Sequence, residues 1–251
     1  MSVYHLDDRK LRRASAFFVI FILIGASILT IVPAAQPTPS IEVAVSYILM
    51  GTGDNPYTDK YDVWDYDGIH WWNGLYTNGI PNGGIKYYVN PSGVRITSSS
   101  VINAIKAAFE TWDDQVKIEL FNDDVRTINR AYGNRYDGKN VISWGRLSSG
   151  IIAVTYVWYY TSTKEIVEFG MVFNTRYTWG IDSDGEGPIT INAFDIQNIA
   201  THEAGHTLML RDLYMSGASE LTMYGYGSRG ETKKISLGTG DINGIHSIYG
   251  A

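Results

Sequence analysis

The stretch ATHEAGHTLMLRD, Ala200 to Asp212, places His202 and His206 at i and i+4 with Glu203 beside the first histidine. On an α-helix such positions stand one turn apart on one face, so both imidazoles point at a common centre. A zinc ion held about 2.0–2.1 Å from each nitrogen fits between them. Glu203 projects to the side of the pair, where it holds the metal's water and accepts its proton instead of ligating. The competing reading is a surface helix that happens to carry two histidines. Against it, Ile196, Ile199, Ala200 and Leu208 are apolar, so the polar trio interrupts a core-facing segment. Buried histidines need partners, and a metal supplies them. A catalytic zinc takes a third protein ligand and keeps one position open. Downstream, Asp212, Glu220, Glu231, Asp241 and His246 all offer a suitable atom. Asp212 reaches the metal if the helix stops soon after Leu208 and the chain doubles back.

The rest of the chain is consistent with a folded host for such a site. Its 251 residues suffice for one substantial domain plus a short segment, and 45% hydrophobic and 13% aromatic content argue against disorder. The net charge of −6 offers no basic face, which argues against nucleic acid as a partner. There is no cysteine, so disulfides, thiolate zinc sites and a cysteine nucleophile are excluded. At the N-terminus, basic Arg9–Arg13 precedes an uncharged apolar run, Ala14–Val32, and PAAQPTPS follows. This pattern predicts export, with residues 1–35 acting as a signal peptide or a membrane anchor and the remainder on the outer side. Residues 36–80 read as a linker and an aromatic, turn-rich extension without a clear period.

From Ile85 onward the pattern becomes regular. IKYYV (Ile85–Val89), VKIELF, NVISWGRL (Asn140–Leu147), Ile151–Thr161 and Glu165–Thr175 read as strands, the last two as an antiparallel pair. SSSVINAIKAAFETWDDQ reads as a helix capped by its serines, with Val101, Ile105, Ala108, Phe109 and Trp112 at helical spacing. A second helix starts near Asp195, a good N-cap, and a third ends the chain with Ile242, Ile245, Ile248 and Tyr249 on one side. That order is an α+β domain.

At this level the chain resembles the metzincin metalloproteases, and within them the matrixins. HEAGHTLMLRD matches their extended motif with His202, Glu203 and His206, and puts Asp212 at the third-ligand position. ELTMYGYG (Glu220–Gly227) resembles the methionine turn, placing Met223 beneath the metal, and ISLGTGDINGIHSIYG resembles the segment and C-terminal helix after it. The likeness covers residues 81–251. It implies a twisted, mostly parallel five-stranded sheet with an antiparallel edge strand, an active-site helix, a methionine turn and a C-terminal helix. It also implies a zinc endopeptidase acting on an extended polypeptide laid along the edge strand, with His202, His206 and Asp212 on zinc, Glu203 as general base and Met223 in support. A surface-anchored binding protein with a degenerate zinc site is the alternative.

Two departures from the family stand out. Met209 occupies a position where the family has glycine in a left-handed turn, and a side chain there costs about 1–2 kcal/mol. Asp212 replaces the usual histidine, bringing negative charge and a shorter reach. His70 and His5 are too few for the second, structural zinc site of matrixins, and the absence of cysteine removes their cysteine-switch latency. Asp182–Gly187, DSDGEG, has the alternating acidic oxygens of a calcium loop, so calcium is a second candidate ion, with a solvated turn as the plainer reading.

Overall fold

The computed structural model describes residues 2–5, 39–51, 68–71, 83–182 and 192–251. The apolar run Ala14–Val32 and most of the acidic loop after Asp182 lie outside the described residues. Among the described residues no helix is long and apolar enough to cross a membrane.

In chain order the strands and helices are β1 (Ser2–His5), β2 (Ile41–Met50), β3 (Tyr87–Asn90), α1 (Ser98–Asp113), β4 (Arg126–Thr127), β5 (Asn140–Gly145), β6 (Ile151–Tyr160), β7 (Ile166–Asn174), β8 (Trp179–Gly180), β9 (Phe194–Asp195), α2 (Ile196–Thr207), β10 (Tyr226–Gly227) and α3 (Thr239–Tyr249). The main sheet runs β1-β2-β6-β7-β5-β3-β4. Strands β4, β3, β5 and β7 are parallel, and β6 lies antiparallel to β7. The mixed sheet is compatible with the expected α+β fold, but among the described residues it holds eight strands rather than five, β10 pairing with β2. Strand β6 is not an edge, because β2 pairs antiparallel along it and β1 pairs with β2 beyond. The segment read as an aperiodic extension therefore supplies a strand. Ala44 and Ile48 join the main core, whereas Val43 and Val45 pack on the other face with Val154, Trp158 and Val172. With both faces covered, the polar alternation that marks a half-exposed strand is missing.

Helix α1 buries Val101, Ala104, Ile105, Ala108, Phe109 and Trp112, as its periodicity predicts. Its N-cap is Thr97, whose Oγ1 accepts from Ser100 N at 3.4 Å, rather than one of the serines. Phe109 stacks on Tyr87 at 4.5 Å and meets Phe121 edge-on at 4.6 Å, which fixes α1 against the sheet. Trp112 Nε1 donates to Thr201 O at 2.8 Å, fastening α1 to α2. VKIELF forms no strand; only Phe121 bridges to Ile85. The physical reason is the Asp113 carboxylate, which accepts from Leu120 N at 2.6 Å and Phe121 N at 3.2 Å and so takes donors a ladder would need.

Candidate metal centre

Helix α2 starts where the sequence places it. Asp195 is the N-cap and its Oδ1 accepts from Asn198 N at 2.7 Å. Nearly every residue of the helix is buried, so His202, Glu203 and His206 enter the interior together. Each imidazole spends Nδ1 on a backbone carbonyl: His202 on Thr222 O and His206 on Leu210 O, both at 2.7 Å. A carbonyl only accepts, so Nδ1 carries the hydrogen and each Nε2 presents a lone pair. Those Nε2 atoms lie 3.1 Å apart. Asp212 Oδ1 completes a triangle, 3.2 Å from His202 Nε2 and 3.3 Å from His206 Nε2.

Three acceptor atoms facing one another with no donor between them repel unless a cation joins them. The triangle has the right size for one, because ligand atoms about 2.0–2.1 Å from a tetrahedral zinc stand roughly 3.3–3.4 Å apart. The electrostatics of the three groups agree. Burial brings the His202 pKa down to about 4, which keeps the imidazole neutral. Burial opposes a charge on His206 as well, but the Asp212 carboxylate outweighs it and lifts that pKa above its ordinary value. Although burial works against its charge, Asp212 stays ionised because His206 and His202 hold its pKa below the carboxylate range. In short, the pocket attracts positive charge.

The turn that delivers Asp212 uses Met209. Leu210 N donates to Gly205 O at 3.1 Å and Met209 N to His206 O at 2.9 Å, the paired bonds of a Schellman cap. Met209 takes the left-handed position at φ 70° with its side chain 2% exposed, so the expected strain is present and the side chain is buried in the core. Leu213 N then bonds Met223 O at 2.9 Å and Gly225 N bonds Leu213 O at 3.0 Å, laying the returning chain beside the methionine turn. Trp71 Nε1 donates to Thr207 O at 2.8 Å and satisfies a carbonyl at the end of α2.

Met223 is buried against α2, where a Cβ on Gly205 would collide with its Sδ. Its turn is gripped from both sides. Asp241 accepts from Thr222 N at 2.8 Å and Met223 N at 3.1 Å. Fully buried Lys234 donates Nζ to Tyr224 O at 2.7 Å and Thr222 O at 3.3 Å. Thr222 O is also the His202 partner, so this turn orients the His202 imidazole.

Glu203 stands beside the triangle. Thr155 Oγ1 donates to its Oε2 at 2.5 Å, while Oε1 is buried without a hydrogen-bond partner. Burial raises its pKa to about 7. The remaining sequence candidates sit elsewhere. Glu220 pairs with Lys233 at 3.2 Å, Glu231 lies 3.5 Å from Asn198 Nδ2, Asp241 holds the methionine turn, and His246 Nε2 bonds Gln115 O at 2.7 Å. Among the described residues, His202, His206 and Asp212 form the one group arranged to hold a metal.

A profile of the matrixin family, a family of peptidases, matches residues 80–250. The chain belongs to the matrixin family. Family membership implies zinc, and the triangle of lone pairs gives this matrixin a place for it. The chain is also 37% identical over 73 residues to metalloendoproteinase 1-MMP of Arabidopsis thaliana. That alignment covers 29% of this chain and 19% of the plant protein. Strand β2 precedes the matched region. Sequence pattern gives no site role to Thr155 or Lys234, and offers Asp241 only as a metal ligand, whereas its carboxylate holds the turn at Thr222 and Met223. Thr155 carries the only usable signal, a hydroxyl inside the apolar run IIAVTYVWYY.

Proposed function

We propose that this matrixin is a zinc-dependent endopeptidase that cleaves extended polypeptides. One observation carries the reading: three converging lone-pair atoms beside a buried carboxylate oxygen, Glu203 Oε1, that has no partner of its own. His202, His206 and Asp212 hold the ion. Bound zinc supplies Lewis acidity, polarising the scissile carbonyl and making water acidic enough to attack near neutral pH. Glu203 accepts a proton from the attacking water, whose hydroxyl adds to the carbonyl carbon. The same proton then goes to the departing amine nitrogen as the carbon–nitrogen bond breaks. Thr155 fixes Oε2 so that Oε1 faces the reacting atoms. Carboxylate in place of a third imidazole makes the ion a weaker acid, which places more of the work on Glu203.

Met209 accommodates the helix turn and leaves Asp212 within reach of both histidines, so the departure from glycine lends no support to a degenerate site. The basic flank and apolar run at residues 9–32 support export, followed by release or anchoring on the outer face of the membrane. The reading is tested by loading the full chain with zinc and assaying a set of quenched peptides beside Glu203→Gln. Glutamate-dependent cleavage is expected, with the variant retaining its zinc. Zinc binding without any glutamate-dependent turnover in either the wild type or a chain with its cleft opened as described below overturns it.

A further inference from the structure

The reacting groups are closed off by the chain itself. Glu203 and His202 are 0% exposed and His206 is 2% exposed, so no polypeptide reaches them in this state. What lies in the way is β2. It runs antiparallel to β6 from Ile41 opposite Tyr160 to Leu49 opposite Ile151, and parallel to β10 on its other side. Leu49 N donates to Gly225 O at 3.0 Å, Met50 N to Gly150 O at 2.8 Å and Gly51 N to Gly227 O at 3.2 Å. Ser228 Oγ fastens the end by donating to Gly51 O at 2.6 Å. This is how an added strand is held: main-chain bonds along both borders and side chains in alternate pockets.

The side chain that enters beside the site is Ile48. It is 0% exposed, and its Cδ1 lies 3.1 Å from where a Cβ on Gly227 would stand, next to Ile152 and Ile199. Strand β2 also precedes the residues that the family profile matches.

Building on the endopeptidase reading, we propose that residues Ile41–Gly51 are a resident occupant of the substrate cleft, a strand of this chain that keeps the protein latent until it is displaced. The border of β6 that β2 covers is then the surface that receives an extended polypeptide. Latency here needs no cysteine, and the chain has none. Substrate and β2 compete for the same main-chain partners: the Gly225 and Gly227 carbonyls on one side and β6 on the other.

The test uses the full zinc-loaded chain and two separate variants. Ile48→Glu places a charge in the apolar slot, and Leu49→Pro removes the N–H given to Gly225 O without touching a core side chain. Both are expected to cleave a quenched peptide at least tenfold faster than the wild type. A synthetic peptide of residues 41–51 added in trans is expected to suppress the gain. In parallel, binding of a fluorescent peptide is followed by anisotropy in the Glu203→Gln background, where turnover is not required. Tighter binding when Ile48→Glu is added supports the proposal even if no chain cleaves anything, an outcome that would defeat only the peptidase reading. Folded variants that bind and cleave as the wild type does overturn it. So does loss of the fold in both variants, because β2 is then an integral strand that cannot leave.

Discussion

Replacing Met209 by glycine gives the family its usual residue, and the structure predicts that this destabilises the protein. Two terms oppose each other. The left-handed backbone at φ 70° carries a cost of about 1–2 kcal/mol for a residue with a Cβ, which glycine removes. The Met209 side chain is 2% exposed, and truncating a buried methionine costs about 2–5 kcal/mol. Burial wins, leaving Met209→Gly roughly 1–3 kcal/mol less stable than the wild type. Met209→Ala loses the same packing and keeps the strain, so it should be worse than glycine by about 1–2 kcal/mol. The order wild type, then glycine, then alanine is the sharp part, because in a right-handed helix glycine is the poorer residue by about 1 kcal/mol. Urea unfolding at fixed zinc reads it directly. Alanine equal to or more stable than glycine would refute the left-handed turn and, with it, the path that brings Asp212 to the histidines.

Gly205→Ala should destabilise by about 1–3 kcal/mol through overpacking, since the new Cβ meets Met223 Sδ and, at 2.7 Å, the Trp112 ring. A compensating Met223→Ala change should recover part of that loss in a double-mutant cycle; full additivity would show that the two positions do not touch. Asp113 gives a pH prediction: burial raises its folded pKa to about 7 from 3.8, so between these values the folded state binds more protons than the unfolded one. Stability attributable to this group therefore falls as pH rises from about 4 to 7, by roughly 1–2 kcal/mol after allowance for its partial exposure. Melting temperatures of wild type and Asp113→Asn across that range should converge toward acid and separate toward neutral pH, and parallel profiles would contradict the assignment.

The histidine pair and Glu203 were legible because helical geometry makes i and i+4 neighbours without help from the rest of the fold. Asp212 was legible only as one of several candidates until the family spacing singled it out. Its reach depends on the Schellman turn at Met209, where local residue preference and native backbone disagree. Strand β2 was not legible for two reasons. Both its faces are covered, and its partner on β6 is far along the chain, with Ile41 opposite Tyr160. VKIELF failed in the opposite direction: its alternation suits a strand, but the Asp113 carboxylate captures the donors of Leu120 and Phe121. Thr155 and Lys234 owe their roles to contacts across the fold, with Glu203 and with the methionine turn, and no spacing rule announces such contacts.

The central claim is that His202, His206 and Asp212 together hold one zinc ion. Competition against a calibrated chelator measures it most directly, comparing the wild type with Asp212→Ala at constant pH. One zinc per chain is expected for the wild type, with affinity lowered by roughly a hundredfold or more in the variant. Unchanged stoichiometry and affinity in a folded Asp212→Ala protein would contradict it.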